Sequence, residues 1–204
     1  PDDDEAHGYK VALAPPRATR LRDFRVLVLD KHPIAPTDPD VAAAVNALAE
    51  DAAKAGAKVV RASPALPDLA KAFDNYNTML FTIISRFGAN AQPISAHAWM
   101  TELDVHERFR KQWAAFFKEI DVVLSPTFGV PAFPHNDDPA WEKRIMRVGD
   151  ADTRYGDQLG WPSMAAHAHL PSTAFPIGRT KSGLPLGAQA MGGYLDDRTT
   201  IAFA

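Results

Sequence analysis

Serine, histidine and carboxylate side chains are where this 204-residue chain could do covalent chemistry, and none of them stands at a spacing that announces it. A nucleophilic serine needs a base in hydrogen-bond reach and is often marked by a sharp strand-to-helix turn. Neither G-x-S-x-G nor S-x-x-K occurs. Ser125 precedes Pro126 and Ser163 follows Pro162, which suggests loop or strand-edge positions rather than an activated nucleophile. His167 and His169 alternate along an apolar run. Read as a strand, both rings share a face at a spacing compatible with a metal, but no third ligand is placed. His135 with Asp137 and Asp138 lacks a recurring metal-ligand spacing. The residues therefore predict no metal, no cofactor and no self-announcing catalytic group.

Two other features yield to structural readings. Gly178 to Gly183 superficially resembles a phosphate loop, but Lys181 and Ser182 lie inside it and Leu184 and Pro185 follow, so a hairpin turn is expected. Phe109, Trp113, Phe116 and Phe117 recur at helical spacing and read as core, because side chains of that size bury large areas.

The elements that would position any site are legible from periodicity. Val26 to Leu29 is a continuous apolar run, expected of a strand covered on both faces. A turn cluster follows, then a helix from Pro39 to about Ala55, with Asp38 as cap and Gly56 just past its end. Ala57 to Arg61 reads as a second strand, so the unit implies a right-handed crossover and parallel pairing. Helices are expected from Pro67 to about Phe87 and from Ser95 to about Lys118, both covering a sheet face, with a strand between Ile120 and Ser125. Pro126 to about Asp157 reads as a long irregular segment. A hairpin follows, Ser172 to Ile177 and Leu186 to Met191, and Asp196 is placed to cap a last helix. The fold class is α/β: a layered sandwich whose mixed, partly parallel sheet is covered by helices. Residues 1–204 read as a single domain with 1–23 as a connector.

Composition narrows the function classes. The net charge of -3, without a basic cluster, disfavours nucleic acid and anionic membrane as partners. The absence of cysteine excludes disulfides and thiolate chemistry and makes the cytoplasm the default compartment. No apolar run approaches a membrane span, which predicts a soluble protein. The first residues, Pro1 to Glu5, carry neither an initiator methionine nor a signal-peptide pattern, so a further segment is expected upstream.

Three segments, in order, resemble the amidase signature family. They are Arg25 to Gly56; Asp121 to Thr127, a strand running into a proline-threonine turn; and Asp157, Gln158, Trp161 and Pro162 followed by the run from Leu170 to Gln189 and Asp196 to Thr200. His169 stands where the family usually has glycine, so a different local turn is expected. The resemblance implies hydrolysis of carboxylic amides by a serine nucleophile, a second serine and a proton-relaying lysine set in a glycine- and serine-rich signature. That signature is not found: the only adjacent glycines are Gly192 and Gly193, and no two serines are neighbours.

The resemblance thus implies a C-terminal portion of an amide hydrolase, inactive by itself because the triad lies upstream. It would act on a small-molecule amide in the full-length enzyme, and would self-associate or pair with the N-terminal half. Thr127, Phe128 and Trp161, at or near strand-end turns, are its candidate substrate-binding residues. The competing expectation is a stand-alone small-ligand-binding or structural α/β module without catalysis.

Overall fold

Four apolar residues in a row cannot all face one side of a strand, so Val26 to Leu29 demands cover above and below. In the computed structural model, which describes residues 8–88 and 93–204, the run forms β1 (Arg25–Val28) at the middle of one half of a five-stranded sheet. α1 (Pro39–Lys54) follows, with Asp38 accepting the Asp40 amide at 2.9 Å. Beyond it Gly56 turns the chain at φ 98°, a left-handed conformation that side chains rarely adopt. β2 (Lys58–Val60) pairs parallel to β1. α2 (Leu69–Ser85) and α3 (Ala96–Phe116), capped by Asp68 and Ser95, then carry the chain to β3 (Val122–Pro126), parallel to β1 on its other side.

The expected long irregular segment is corrected in part by the structure. Within it, β4 (Ile145–Val148) and β5 (Ala151–Arg154) form a two-stranded antiparallel hairpin turning at Gly149 and Asp150. Met146 and Val148 alternate inward under Val130, which gives this short ladder an apolar face of its own. The strand reading under which His167 and His169 would share a face does not hold: residues Gly160–Ala168 form helix α4, and His169 ends it. Ala165, Ala166 and Ala168 are strong helix formers, and the buried Trp161, Met164 and Ala165 anchor one face of the helix to the core. β6 (Ser172–Arg179) and β7 (Pro185–Met191) are the expected hairpin, and α5 (Asp197–Phe203) closes the described chain. Asp196 occupies the N-cap position, but its side chain makes no capping bond and instead meets Arg17 at 2.5 Å.

The sheet order β2-β1-β3-β7-β6 joins a parallel half to an antiparallel one, flanked by helices on both faces. Leu27, Val123 and Met191 face Trp113, Phe116, Phe117 and Trp161 on the α2–α3–α4 side. Val26, Val28, Leu124 and Ala190 face Val45, Ala49, Ala52 and Phe203 on the α1–α5 side. One ion cluster holds the strand starts: Asp121, 6% exposed in its side chain, takes the Arg25 guanidinium at 2.6 Å and the Arg25 amide at 2.9 Å. Burial pushes the Asp121 carboxyl upward, but the Arg25 hydrogen bonds and charge outweigh it, leaving its pKa below the usual carboxylate value. Of the expected connector, residues 1–7 lie outside the described residues, and Arg17 is tied down by the Phe117 carbonyl and Asp196.

Candidate functional site

Strand order and helix placement together select one crevice. The chain leaves β1 through α1 to reach β2 on one side, then returns across the opposite face through α2 and α3 to β3 on the other side of β1. In such sheets ligands bind beyond the carboxyl ends of the strands where the order reverses, here between the loops after β1 and β3. A cleft of about 250 Å³ opens on the β1 side of this point, lined by Asp30, Lys31, His32, Pro36 and Thr37 of the loop after β1 and by Ala42 of α1.

Gln158 is what fixes the two loops against each other. Fully buried in a 3-10 turn before α4, it accepts the Gly129 amide on Oε1 and donates from Nε2 to the Pro36 carbonyl, both at 2.8 Å. His32 is locked just as firmly. Its Nδ1 accepts the backbone amides of Ile34 and Ala35, each at 3.1 Å, so the ring proton of the neutral imidazole sits on Nε2. Burial lowers the His32 pKa to about 4, which keeps it neutral and an N–H donor across the physiological range. Three of the buried side-chain atoms without a hydrogen-bond partner, His32 Nε2, Thr37 Oγ1 and Trp161 Nε1, belong to this region.

None of the three sequence-nominated residues is in the lining of that cleft. Thr127 and Phe128 continue directly from β3 and are half-buried. Phe128 joins Phe133 and Tyr155, with ring centroids at 6.3 and 6.1 Å, over the β4–β5 hairpin. Trp161 lies beneath, wholly buried, its ring 5.4 Å from that of His32. The sequence reading missed His32, whose role depends on its loop folding back onto its own ring.

Neither Ser125, which lies in β3, nor Ser163, which lies inside α4 rather than in a loop or at a strand edge, is set up as a nucleophile. Ser125 is completely buried, donates to the Pro126 carbonyl and accepts from Gln189 Nε2 at 3.2 Å. Ser163 donates to the Gly160 carbonyl at 2.9 Å. Among the described residues no group of three or more His, Cys, Asp or Glu side chains is placed to hold a metal ion. His135 and Asp137 are almost fully solvent-exposed. No described helix is long and apolar enough to cross a membrane.

A second polar chain runs under α4. Glu102 takes the Asn75 side-chain amide at 2.6 Å, which orients the Asn75 oxygen toward His167 Nε2 at 2.7 Å. His106 donates to the His167 carbonyl, and its ring lies 4.9 Å from that of His167 and 5.1 Å from that of His169. Burial first, then the neighbouring His106 and His169, lower the His167 pKa to about 4. His169 itself adopts φ 56° and ψ 40°, the left-handed cap conformation that glycine favours. Replacing His169 with glycine is therefore expected to raise stability by up to about 1 kcal/mol, read as a higher urea midpoint; an unchanged or lower midpoint contradicts the strain assigned to this cap.

The same architecture recurs in known proteins. The family profile described as Amidase matches residues 77–201, well over half the chain, and the chain belongs to that family. A 2-amino-5-chloromuconic acid deaminase from Comamonas testosteroni is 28% identical over 88% of this chain and 42% of its own length. A glutamyl-tRNA(Gln) amidotransferase component from a Synechococcus strain is 29% identical over 60% of this chain and 23% of its own. Among solved structures, the corresponding glutamyl-tRNA(Gln) amidotransferase component of Thermotoga maritima superposes with a TM-score of 0.72 at 17% identity, covering 96% of this chain and 44% of that one. Fatty acid amide hydrolase gives 0.70 at 15% identity, covering 96% and 40%. The structural likenesses establish the α/β sandwich, and the chain spans less than half the length of each of these proteins.

Proposed function

We propose that this chain is the C-terminal portion of an amide hydrolase, converting a carboxylic amide to carboxylate plus amine or ammonia, with the serine nucleophile, its second serine and its lysine carried upstream. The observation that carries this reading is the crevice itself: a built strand-end site on an amidase-family fold, in which Ser125 and Ser163 hydrogen-bond only to carbonyls and an amide side chain. A serine without a base is a poor nucleophile, so this part of the fold serves as scaffold and wall. Thr127 and Phe128 contact the acyl part of the amide, and Trp161 positions the floor beneath them. Residues 1–204 act as one domain with 1–23 as connector, in the cytoplasm, with neither nucleic acid nor membrane as partner.

The outer edge of β6 offers eight residues of strand on which another sheet element can pair, through a second copy or through the N-terminal half. The names of the relatives, an amidotransferase component and a deaminase, support C–N bond chemistry. The test mixes the 204-residue chain with a separately expressed upstream polypeptide bearing a glycine- and serine-rich stretch. No amide hydrolysis is expected from either alone, and turnover is expected from the pair. Robust hydrolysis by the chain alone, with a serine in it labelled by an acylating inhibitor, overturns the reading. A cooperatively unfolding monomer that never restores turnover points instead to a stand-alone module.

A further inference from the structure

The segment between β3 and α4 builds a second concavity that the switch-point crevice does not include. A cleft of about 320 Å³ lies between the second half of α2 and this segment, lined by Asn77 and Phe81 on one side and by Trp141, Glu142, Arg154 and Asp157 on the other. Its size falls within the range of small-molecule sites. Trp141 stands edge-on to Tyr155 at 4.7 Å, and Tyr155 in turn meets Phe128 and Phe133, so the indole is held by an aromatic stack rather than left free to rotate. Gly156 lies opposite it. A Cβ on Gly156 would sit 3.6 Å from Trp141 Nε1, ordinary contact distance, so the absence of a side chain there keeps the space beside the ring open.

The charges in the lining settle what kind of group fits. Arg154 is already committed to Asp157, at 2.8 Å through one nitrogen and 3.3 Å through another. Glu142 is left as a carboxylate without a cation among the lining residues. Arg144 lies 6.0 Å from the Trp141 ring centroid but is engaged by the Asp138 carbonyl and is outside the lining. An aromatic carboxylate entering the cleft therefore meets net negative charge, while a neutral carboxamide brings both N–H donors for the carboxylates and an oxygen for the guanidinium or the Asn77 amide.

We infer that this cleft is a binding site for the planar aromatic part of a neutral amide, stacked on Trp141 and discriminated from the corresponding acid. Because Thr127 and Phe128 are proposed to meet the acyl part of the hydrolysed amide in the switch-point crevice, this cleft is a separate amide site; it does not rest on the amide-hydrolase reading, and binding is measurable without turnover.

The probe is benzamide, with benzoate and acetamide as comparators, titrated into the full chain labelled with ¹⁵N at tryptophan. The Trp141 indole signal is assigned by its disappearance in Trp141→Phe. Benzamide is expected to move the Trp141 signal saturably and to leave those of the core residues Trp113 and Trp161 in place. Benzoate and acetamide are expected to bind at least tenfold more weakly. Gly156→Leu, which fills the cleft, is expected to abolish the shift while leaving the Trp113 and Trp161 signals at their folded positions. Should Gly156→Leu disturb those signals, the same loss of binding is expected from Phe81→Ala, which removes the opposite wall. A Trp141 signal that does not respond to benzamide, an equal response to benzoate, or retained binding in the folded variant overturns the inference. Benzamide binding without hydrolysis in any complemented form removes the hydrolase reading and leaves the site standing; restored hydrolysis of aliphatic amides without benzamide binding does the reverse.

Discussion

Urea unfolding at pH 5.0 should show the protein weaker by several kcal/mol than at pH 7.5, because two buried imidazoles must be charged in the unfolded chain and neutral in the folded one. His32 and His167 each have a folded pKa lowered from 6.5 to about 4, in both cases chiefly by burial. Below pH 6.5 the unfolded state binds protons that the folded state refuses, so stability falls as pH falls. The contribution is fully present above about 6.5, is lost progressively through the interval, and levels off below about 4, where the folded rings also protonate.

At ~1.4 kcal/mol per pKa unit the ceiling is about 3.5 kcal/mol for each ring, and partial solvent access reduces this to about 2 kcal/mol each. The stability slope should approach ~2.7 kcal/mol per pH unit where both rings titrate. Geometry explains why neither ring escapes by taking up a proton in place. A proton on His32 Nδ1 would displace the Ile34 and Ala35 amides, and one on His167 would place a charge beside the His106 and His169 rings. His167→Gln retains a donor for the Asn75 oxygen and should roughly halve the slope. A stability that is flat between pH 7.5 and 5.0 would rule out this account.

What could be read from the chain before its structure, and what could not, follows the range of the interactions involved. Val26 to Leu29, Asp38 with Pro39, and the hairpin around Gly178 to Gly183 are local signals, and their elements stand where periodicity and capping put them. The alternation Ala166, His167, Ala168, His169 imitates a strand, yet its backbone is helical because Trp161, Met164 and Ala165 upstream bury against the core and carry the turn forward. The β4–β5 hairpin escaped notice because each strand has only four residues and the prolines before it dominate the local composition; Met146 and Val148 acquire a face only when Val130 covers them. Thr127 and Phe128 do follow a strand end, that of β3, whereas Trp161 lies inside α4. The Gln158 clamp and the fixed His32 tautomer were not legible, since both depend on backbone groups far away in sequence or on a loop closing on itself.

The clamp also dictates which single substitution damages the crevice most. Gly129→Ala should cost about 3–5 kcal/mol and abolish any ligand response of the switch-point loops. A Cβ on Gly129 would overlap the Pro36 carbonyl oxygen and stand 2.5 Å from Gln158 Oε1 and 3.0 Å from Trp161 Nε1. None of these can yield cheaply. Pro36 is held by Gln158 Nε2, Gln158 Oε1 is held by the Gly129 amide, and the Gly129 carbonyl itself accepts the Asp38 amide at the start of α1. Pushing the β3 loop away would therefore break the hydrogen bonds that join it to both the start of α1 and the 3-10 turn before α4.

Gln158→Leu tests the same clamp without the steric clash. It leaves the Gly129 N–H and the Pro36 carbonyl unpaired where burial is deep, at about 1–3 kcal/mol for each group. Because both substitutions open one clamp, the double variant should be destabilised by clearly less than the sum of the two, and that shortfall separates a shared clamp from two independent core defects. The Trp161 indole resonance, packed against Gly129, should shift in either variant while that of Trp113, elsewhere in the same core, stays in place. Additive losses, or a Gly129→Ala protein as stable as the parent, would mean that the two loops are held together by something other than Gln158.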